Sequence, residues 1–311
     1  MPLVLQVLVT GLAAGAGYGL IAIGYALIYR LTGVILFALG ELVGLTVLVT
    51  LVLAAGTSEV SRTNVATGRY GAAVLAGLVL ATASGAAVYW LAVRPFLRRE
   101  SPLAWIGGGV AVAFAVRGLL EATFRRQSYV FPDVIPFNRL ARAGVLSLGS
   151  GVTVQVRTFF VIAVGLLLAW VAGHVLERTM SGRALQAIAT EPVGAALVGL
   201  PVERLLGAAF GLAGALAALA AVVQAPAAPV TPDTGALLGL KGLVAAVLAG
   251  FGSPWKAFAA GLGVGVMETA VTSLHVGGLR LGPAYRDIVP LGLAVAIIAI
   301  GRLHAAAENT D

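Results

Sequence analysis

Residues Thr179 to Pro201 read TMSGRALQAIATEPVGAALVGLP and separate two long apolar runs of the chain. The stretch carries an arginine, a glutamate and a proline, and Pro192 divides it into two pieces that are each too short to cross a bilayer as a helix. A polar break of this kind is expected where a membrane protein joins two groups of spans at the membrane surface. The stretch therefore predicts a two-part chain whose parts are connected outside the lipid.

The composition of the whole chain places it in a bilayer. Of its 311 residues, 59% are hydrophobic and 11% are charged, and the mean hydropathy is +1.00, well above the value of a soluble domain. The N-terminal sequence MPLVLQVLVTGLAAG has no basic residue before its apolar run and no small-residue cleavage site. It predicts a retained span and not a removed signal peptide.

Charge and composition also exclude several functions. The net charge is +7, but the basic residues are scattered over loops, so they are expected to anchor helix ends near lipid headgroups and not to bind nucleic acid. The chain has no cysteine, and its three histidines lack metal-binding spacing. No glycine-rich piece has the pattern that holds nucleotide phosphates. We therefore expect no cofactor in this chain, and any ATP must be bound by partner subunits.

Nine apolar segments predict an all-α, polytopic integral membrane protein, with a count between eight and ten. The second and seventh segments are dense in glycine and are expected to be broken or re-entrant helices. The predicted spans are Leu3–Tyr29, Leu31–Ala55, Tyr70–Val93, Leu103–Leu120, Thr158–Leu176, Leu205–Val223, Ala236–Phe251, Phe258–Leu274 and Ile288–Ile300.

The spans form one membrane domain, 1–311, built from two related halves of opposite topology. Small residues recur in the first span of each half, and this spacing lets helix backbones approach closely. Inverted halves with interrupted helices in matching positions indicate a transport site near the midplane. The small residues are Gly11, Gly15 and Gly19, matched by Gly207, Gly211 and Ala215. The parts are a first repeat 3–120, a polar segment 121–157 predicted to form a hairpin or an interfacial helix outside the membrane, a linking span 158–176, the loop 179–201 and a second repeat 205–300.

Three ionisable residues, Glu41, Lys241 and Glu268, lie within or at the edge of apolar segments. A charge in such a position is costly unless it is paired or hydrated. Two interpretations stay open. In one, Lys241 and Glu268 form a structural ion pair while Glu41 caps or bridges helix ends; in the other, all three lie beside a transport path.

The loop 179–201 is predicted to be a small helix-turn-helix at the membrane surface. Ser181 is the expected N-cap of its first helix, and Pro192 suits the first turn of the second helix. The short apolar side chains would let the groove of another protein come close; the alternative is an ordinary interfacial helix pair without a partner. The predicted apolar faces are Ala184, Leu185, Ile188 and Ala189 in the first helix, and Val193, Ala196, Leu197 and Leu200 in the second.

Three stretches together resemble the permeases of branched-chain amino-acid ABC transporters. SGRALQAIATEPVGAALVGLPVERL, at 181–205, resembles the cytoplasmic coupling loop of that family. YGLIAIGYALIYRLTGVILFALGEL, at 18–42, resembles its first membrane signature, which ends in Gly-Glu. LKGLVAAVLAGFGSPWKAFAAGLGVGVMET, at 240–269, resembles its Lys…Gly-Ser…Glu block. The matches keep their order and spacing across about residues 18–270.

The resemblance implies an all-helical subunit of the cytoplasmic membrane that pairs with a second permease, a homologous but different chain. It also implies two cytoplasmic ATP-binding cassette ATPases and an extracytoplasmic solute-binding protein that docks near 121–157. Carried over by position, the residues that couple to the ATPase are Ser181, Gly182, Arg183, Ala184, Glu191, Ala195, Ala196 and Gly199. Those of the translocation path are Gly33, Leu36, Leu39, Gly40, Glu41, Lys241, Gly250, Gly252 and Glu268.

The sequence also departs from the family pattern. Leu36 and Leu39 stand where polar residues are usual, so the solute is expected to be less polar than a free amino acid. Gln186 replaces a second arginine of the coupling pattern, and Trp255 replaces a small residue and is expected to narrow its region.

The sequence therefore favours an importer permease that moves branched-chain or hydrophobic amino acids, or a related amphipathic solute, by alternating access. The alternative is a secondary transporter that couples protons or sodium through Glu41, Lys241 and Glu268. An enzyme is disfavoured because nucleophile, base and metal clusters are missing from the sequence.

Overall fold

In the computed structural model the chain is a bundle of α-helices with two short β-hairpins. Helices dominate because a segment in lipid must satisfy all of its backbone hydrogen bonds internally. The structure describes residues 2–55, 67–97, 102–124, 128–131, 145–147, 153–227, 229–273, 275–276, 279–280 and 292.

The helices are numbered in chain order. Helix α3 continues through a π-helical turn, Tyr89–Val93, into a last α-helical turn, Arg94–Leu97. The α-helices are α1 Pro2–Thr32, α2 Ala38–Ala55, α3 Thr67–Val88, α4 Pro102–Phe124, α5 Val156–Arg178, α6 Met180–Thr190, α7 Pro192–Leu197, α8 Val202–Gln224, α9 Thr234–Leu248 and α10 Pro254–Ser273.

Six helices in the described part of the chain, α1 to α5 and α8, are long and apolar enough to cross a membrane. Helix α9 is apolar but has only 15 residues, so at about 1.5 Å per residue it is shorter than the hydrocarbon layer. The first eight predicted spans each correspond to a helix, which confirms the all-α membrane fold. The ninth, Ile288–Ile300, lies outside the described residues.

The predicted start of the second span at Leu31 is wrong, because Leu31 still belongs to α1 and α2 begins at Ala38. Gly33 has a φ of 72°, and its N–H donates to the Tyr29 carbonyl at 2.7 Å. A glycine in the left-handed region ends a helix in this way. Residues 34–37 then lead into α2.

Helices of the two predicted halves pack on one another in a reciprocal manner. Helix α1 of the first half lies along α10 of the second, and α8 of the second lies along α3 of the first. The close-packing glycines predicted in α1 and α8 lie in these two interfaces. Each half thus contributes its first helix to the third helix of the other.

Helices α2 and α9 cross where two Gly-x-x-x-Gly pairs meet. A Cβ placed on Gly40 would lie 3.1 Å from the Gly239 Cα, and one on Gly235 would overlap the backbone nitrogen of Gly44. Both helices are continuous. Their interior glycines serve close packing, and the irregular backbone lies before α2 and after α9, where Gly250 has a φ of 61°.

The polar segment at 121–157 was predicted to form a hairpin or an interfacial helix, and it contains a β-hairpin. Strand β1, Val145–Ser147, pairs antiparallel with β2, Thr153–Gln155. An isolated bridge between Tyr129 and Val230, with two backbone hydrogen bonds of 2.8 Å, ties the segment to the approach to α9. A second pair of strands, β3 His275–Val276 and β4 Leu279–Arg280, follows α10.

Candidate functional site

The loop 179–201 folds into the predicted helix pair, α6 and α7, which we call the surface hairpin. Its N-cap is Thr179, whose hydroxyl donates to the Val175 carbonyl at 2.6 Å and accepts the Gly182 N–H at 3.1 Å. The prediction that Ser181 caps this helix is wrong, because α6 already begins at Met180. Pro192 occupies the first turn of α7, as predicted.

Gly182 lets α6 rest directly on the end of α5. A Cβ at this position would overlap the Val175 carbonyl oxygen and lie 2.5 Å from that of Leu176. The Gln186 side chain donates to the Leu176 carbonyl at 2.8 Å. The last carbonyls of a helix lack intrahelical partners, and Thr179 and Gln186 provide them here. Helices α5 and α6 therefore form one fixed corner.

The surface hairpin has a buried face and an exposed face. Leu185 and Ile188 are buried, and Ala184 and Ala189 are half-buried, which confirms the predicted apolar face of α6. Ala195 is the buried residue of α7. The exposed polar or small residues include Ser181, Arg183, Glu191, Ala196 and Gly199, and the exposed large apolar residues are Met180, Val193, Leu197 and Val198.

Turn geometry fixes the end of the surface hairpin. Gly199 has a φ of 84°, and its N–H donates to the Ala196 carbonyl at 3.0 Å. The Leu200 N–H donates to the Ala195 carbonyl at 3.1 Å, so glycine ends α7 by satisfying its last carbonyls. The rest of the described chain leaves four large apolar side chains of the hairpin uncovered, although the hairpin has a buried face.

The start of α8, directly after the hairpin, is tied to α3. Arg94 pairs with Glu203 at 2.6 Å, and its guanidinium lies 4.4 Å from the centroid of the Trp90 ring. The hairpin is thus held at one end by α5 and at the other by a contact between α8 and α3.

A cavity of ≈720 Å³ opens at the other end of the bundle. It is lined by the N-terminal parts of α1, α5 and α9 and by the C-terminal end of α8, whereas the hairpin joins the opposite ends of α5 and α8. Its wall is mixed, with apolar side chains such as Val161 and Leu238. The polar wall residues include Gln6, Thr10, Tyr18, Arg157, Gln224 and Lys241.

Lys241 and Glu268 form the ion pair that one of the two sequence interpretations gave. The Lys241 Nζ lies 3.0 Å from a Glu268 carboxylate oxygen and 5.4 Å from the centroid of the Tyr18 ring. Glu268 is fully buried, whereas Lys241 also lines the cavity. The pair therefore joins α9 to α10 at the cavity wall.

Lys241 lines the cavity, and the other residues assigned to the path are not among those that line it. Leu36 and Leu39 are buried in the core, where Leu39 packs 3.3 Å from the Cβ position of Gly24. Their apolar character therefore gives no information on a solute in this cavity. Gly33 and Gly250 end helices, and Gly40 lies at the α2–α9 crossing. Gly252 lies near the surface hairpin, and the Trp255 side chain packs on Gly173.

Sequence reasoning missed Tyr18, Arg157 and Gln224 as cavity residues. Arg157 donates to the Val223 carbonyl at 2.9 Å, which links α5 to the end of α8. The Gln224 amide lies over Gly17, where a Cβ would overlap it. Arg157 and Gln224 border apolar runs and Tyr18 lies within one, and sequence alone does not show that these three helices converge.

A second ionic group lies between α2, α4 and the residue before α9. Arg117 contacts Asp233 at 2.5 Å and Glu121 at 3.1 Å, and its Nη1 lies 4.0 Å from Glu41. Glu41 is 7% exposed, and its Oε2 has no hydrogen-bond partner among the described residues. We call these four residues the Arg117 cluster.

The fold and these sites define a polytopic α-helical membrane protein with a polar cavity at one end and an exposed hairpin at the other. The family model described as "Branched-chain amino acid transport system / permease component" matches residues 7–298. The chain belongs to this family, as its motifs predicted, and is a multi-pass membrane protein.

Named relatives are similar over nearly their whole length. The high-affinity branched-chain amino acid transport system permease protein BraD of Pseudomonas aeruginosa is 28% identical over 300 residues, which cover 94% of this chain and 92% of the relative. The corresponding LivH proteins are 27% identical in Salmonella typhimurium and 26% in Escherichia coli K12, each over 95% of this chain and 93% of the relative. These relatives are transport permeases.

Proposed function

We propose that this chain is the permease subunit of an ATP-binding cassette importer for branched-chain amino acids or a related small amphipathic solute. The observation that carries the proposal is the placement of the cavity and the surface hairpin at opposite ends of α5 and α8. The family and the names of its relatives support the solute class.

The surface hairpin is the proposed contact with a cytoplasmic ATPase. Its exposed apolar residues, including Val193 and Leu197, offer surface that a protein groove can cover, and Arg183 is an exposed charge on its first helix. In this arrangement two ATPases bind the ATP, a second permease completes the membrane unit in the cytoplasmic membrane, and an extracytoplasmic binding protein delivers the solute on the cavity side.

The fixed corner between α5 and α6 gives the coupling a mechanical basis. Because Gly182 and Gln186 hold α6 on the last turn of α5, a displacement of the hairpin moves α5 with it. The opposite end of α5 carries Arg157 and Val161 in the cavity wall. Nucleotide-driven motion would therefore change the cavity by moving one of its walls, which is alternating access without a covalent step.

Uptake by the complete complex in proteoliposomes tests the proposal. Arg183→Glu and Gly182→Pro should each leave a folded permease in the membrane and yet remove ATP-dependent uptake, the first by reversing a contact charge and the second by dislodging α6 from α5. Arg69→Glu is the matched control, because Arg69 is an exposed arginine at the cavity end. Full ATP-dependent uptake in both hairpin variants would contradict the coupling role. Uptake that does not require ATP and is abolished by an ionophore would favour a secondary transporter.

A further inference from the structure

The Gln224 side chain is a polar group between two closely packed helices at the cavity wall. Gln224 is the last residue of α8, and its amide lies over Gly17 of α1, where a Cβ would overlap the Gln224 Nε2. The three atoms nearest to that Cβ position all belong to Gln224. Gly17 therefore provides the space in which the glutamine side chain lies against α1.

The contacts of Gln224 within the chain leave its oxygen available. The Nε2 donates to the Ala14 carbonyl at 3.4 Å, which is long for an N–H···O hydrogen bond. Ala14 lies inside α1, where each carbonyl also accepts the N–H of the residue four positions later. The Oε1 of Gln224 can accept two hydrogen bonds and has no partner among the described residues. The contact with α1 thus positions the amide and leaves its acceptor for another donor.

The cavity is the place from which such a donor can approach. Gln224 and Ala14 are half-buried, and both line the cavity. Gln6 and Thr10 line it from the same face of α1, because they precede Ala14 by two helical turns and one. Valine and leucine side chains of α2 and α9 supply an apolar part of the wall. A cavity that combines apolar wall with a few placed polar groups binds an amphipathic molecule in one orientation.

The C-terminal end of α8 also favours hydrogen-bond donors. The last carbonyls of a helix lack intrahelical partners and carry the negative end of the helix dipole. Arg157 donates to one of them, the Val223 carbonyl, at 2.9 Å. The Gln224 oxygen belongs to the next residue and adds a side-chain acceptor at the same end of the helix.

We propose that the Gln224 oxygen accepts a hydrogen bond from the polar end of the solute, either the ammonium of an amino acid or the hydroxyl of a hydroxy acid. The inference rests on the proposed function, in which the cavity holds the solute. Gln224 is then a specificity-determining residue, and Gly17 is the positioning residue that holds its amide in place. Solutes of the same shape without a donor should bind less well, because they leave the acceptor without a partner.

The first test compares ligands of one carbon skeleton on the full chain in nanodiscs. The probes are leucine, 2-hydroxy-4-methylpentanoate and 4-methylpentanoate, and the apparent dissociation constants come from the shift of the thermal unfolding midpoint. The native chain should bind the first two more tightly than the third. Gln224→Leu should weaken leucine binding by about tenfold or more and hydroxy-acid binding by less, because hydrogen bonds to charged groups are stronger. Binding of 4-methylpentanoate should not change.

Gly17→Ala tests the position of the amide while the glutamine is kept. The added methyl group would take the place of the end of the Gln224 side chain, which can rotate away, so the variant should fold. It should weaken leucine binding as Gln224→Ala does. In a chain with both changes it should add no further loss, because the atoms that it displaces are then missing. Gly263→Ala, at an exposed position of α10 with nothing within 4 Å of its Cβ position, is the control and should leave all three affinities unchanged.

The inference would be overturned if leucine did not stabilise the native chain, or if Gln224→Leu weakened the binding of all three ligands equally, since Gln224 would then only pack. Additive losses in the cycle of Gly17→Ala with Gln224→Ala would also overturn it. Uptake by the complete complex separates this inference from the proposed function. If ATP-dependent uptake prefers leucine to 4-methylpentanoate as strongly in Gln224→Leu as in the native complex, this inference alone fails. A native complex without ATP-dependent uptake would instead contradict the proposed function.

Discussion

The α1–α10 and α8–α3 interfaces occupy equivalent places in the two predicted halves but differ in what lies between the helices. In the α1–α10 interface, Gly11 and Gly15 meet Gly265 with backbone against backbone. In the α8–α3 interface, backbone contact is confined to the middle, and toward the surface hairpin Gly207 faces the Trp90 indole at 3.0 Å from its Cβ position. Backbones in contact cannot yield, whereas a side chain can change rotamer.

This difference locates the adjustable part of the molecule. The hairpin end of the α8–α3 interface also holds the π-helical turn Tyr89–Val93 and the partly exposed pair of Arg94 with Glu203. The α1–α10 interface is instead joined to α9 by the pair of Lys241, at the cavity wall, with the fully buried Glu268. We infer that α1 and α10 form a fixed unit, and that α8 can move relative to α3 where the hairpin is attached.

The largest effect is expected when the fixed interface is forced apart. Gly265→Val should prevent recovery of folded, monodisperse protein, because its side chain would occupy the backbone of Gly15. Gly263→Val on the same helix is the control, since Gly263 is exposed and nothing lies within 4 Å of its Cβ position. Size-exclusion chromatography and the unfolding midpoint in detergent measure both variants. Equal yield and stability would show that the α1–α10 interface tolerates separation.

A smaller but still large effect should follow from breaking the ion pair of Lys241 with Glu268. Lys241→Met leaves the Glu268 carboxylate buried without this partner, and Glu268→Gln leaves the ammonium without this counter-charge. Lys241→Met should cost about 3–5 kcal/mol of stability and Glu268→Gln less, because Lys241 lines the cavity whereas Glu268 is fully buried. The double variant should lose less than the sum, because neither charge then remains. Unfolding free energies in mixed micelles measure the cycle. Additive losses would show that the two residues act independently.

Most of the fold follows from the sequence, because apolar runs of spanning length leave the backbone few alternatives to helix. The surface hairpin was also predictable, since Pro192 and the spacing around it act locally. The cap was not: Thr179 and Ser181 are both good N-caps, and the last turn of α5 decides in favour of Thr179, because its hydroxyl bonds back to Val175.

The candidate sites depend on which helices converge, and sequence does not show this. Glu41 and Lys241 were recognisable as costly charges, and the structure pairs one with Glu268 and places the other in the Arg117 cluster. The sequence does not distinguish Arg117 and Arg157 from headgroup anchors, because a basic residue near the end of an apolar run usually has that role. Only packing shows that Arg117 faces α2 and that Arg157 faces the cavity.

The smallest effect should come from the ion pair in the adjustable interface. Arg94 and Glu203 are 35% and 43% exposed, so Arg94→Gln or Glu203→Gln should cost less than about 1 kcal/mol of stability. Transport should respond more than stability does, because the pair holds α8 to α3 beside the hairpin. We expect ATP hydrolysis by the reconstituted complex to continue while uptake per ATP falls. The exchange Arg94→Glu with Glu203→Arg should restore that ratio, whereas an unchanged ratio in the single variants would show that α8 and α3 do not move at this contact.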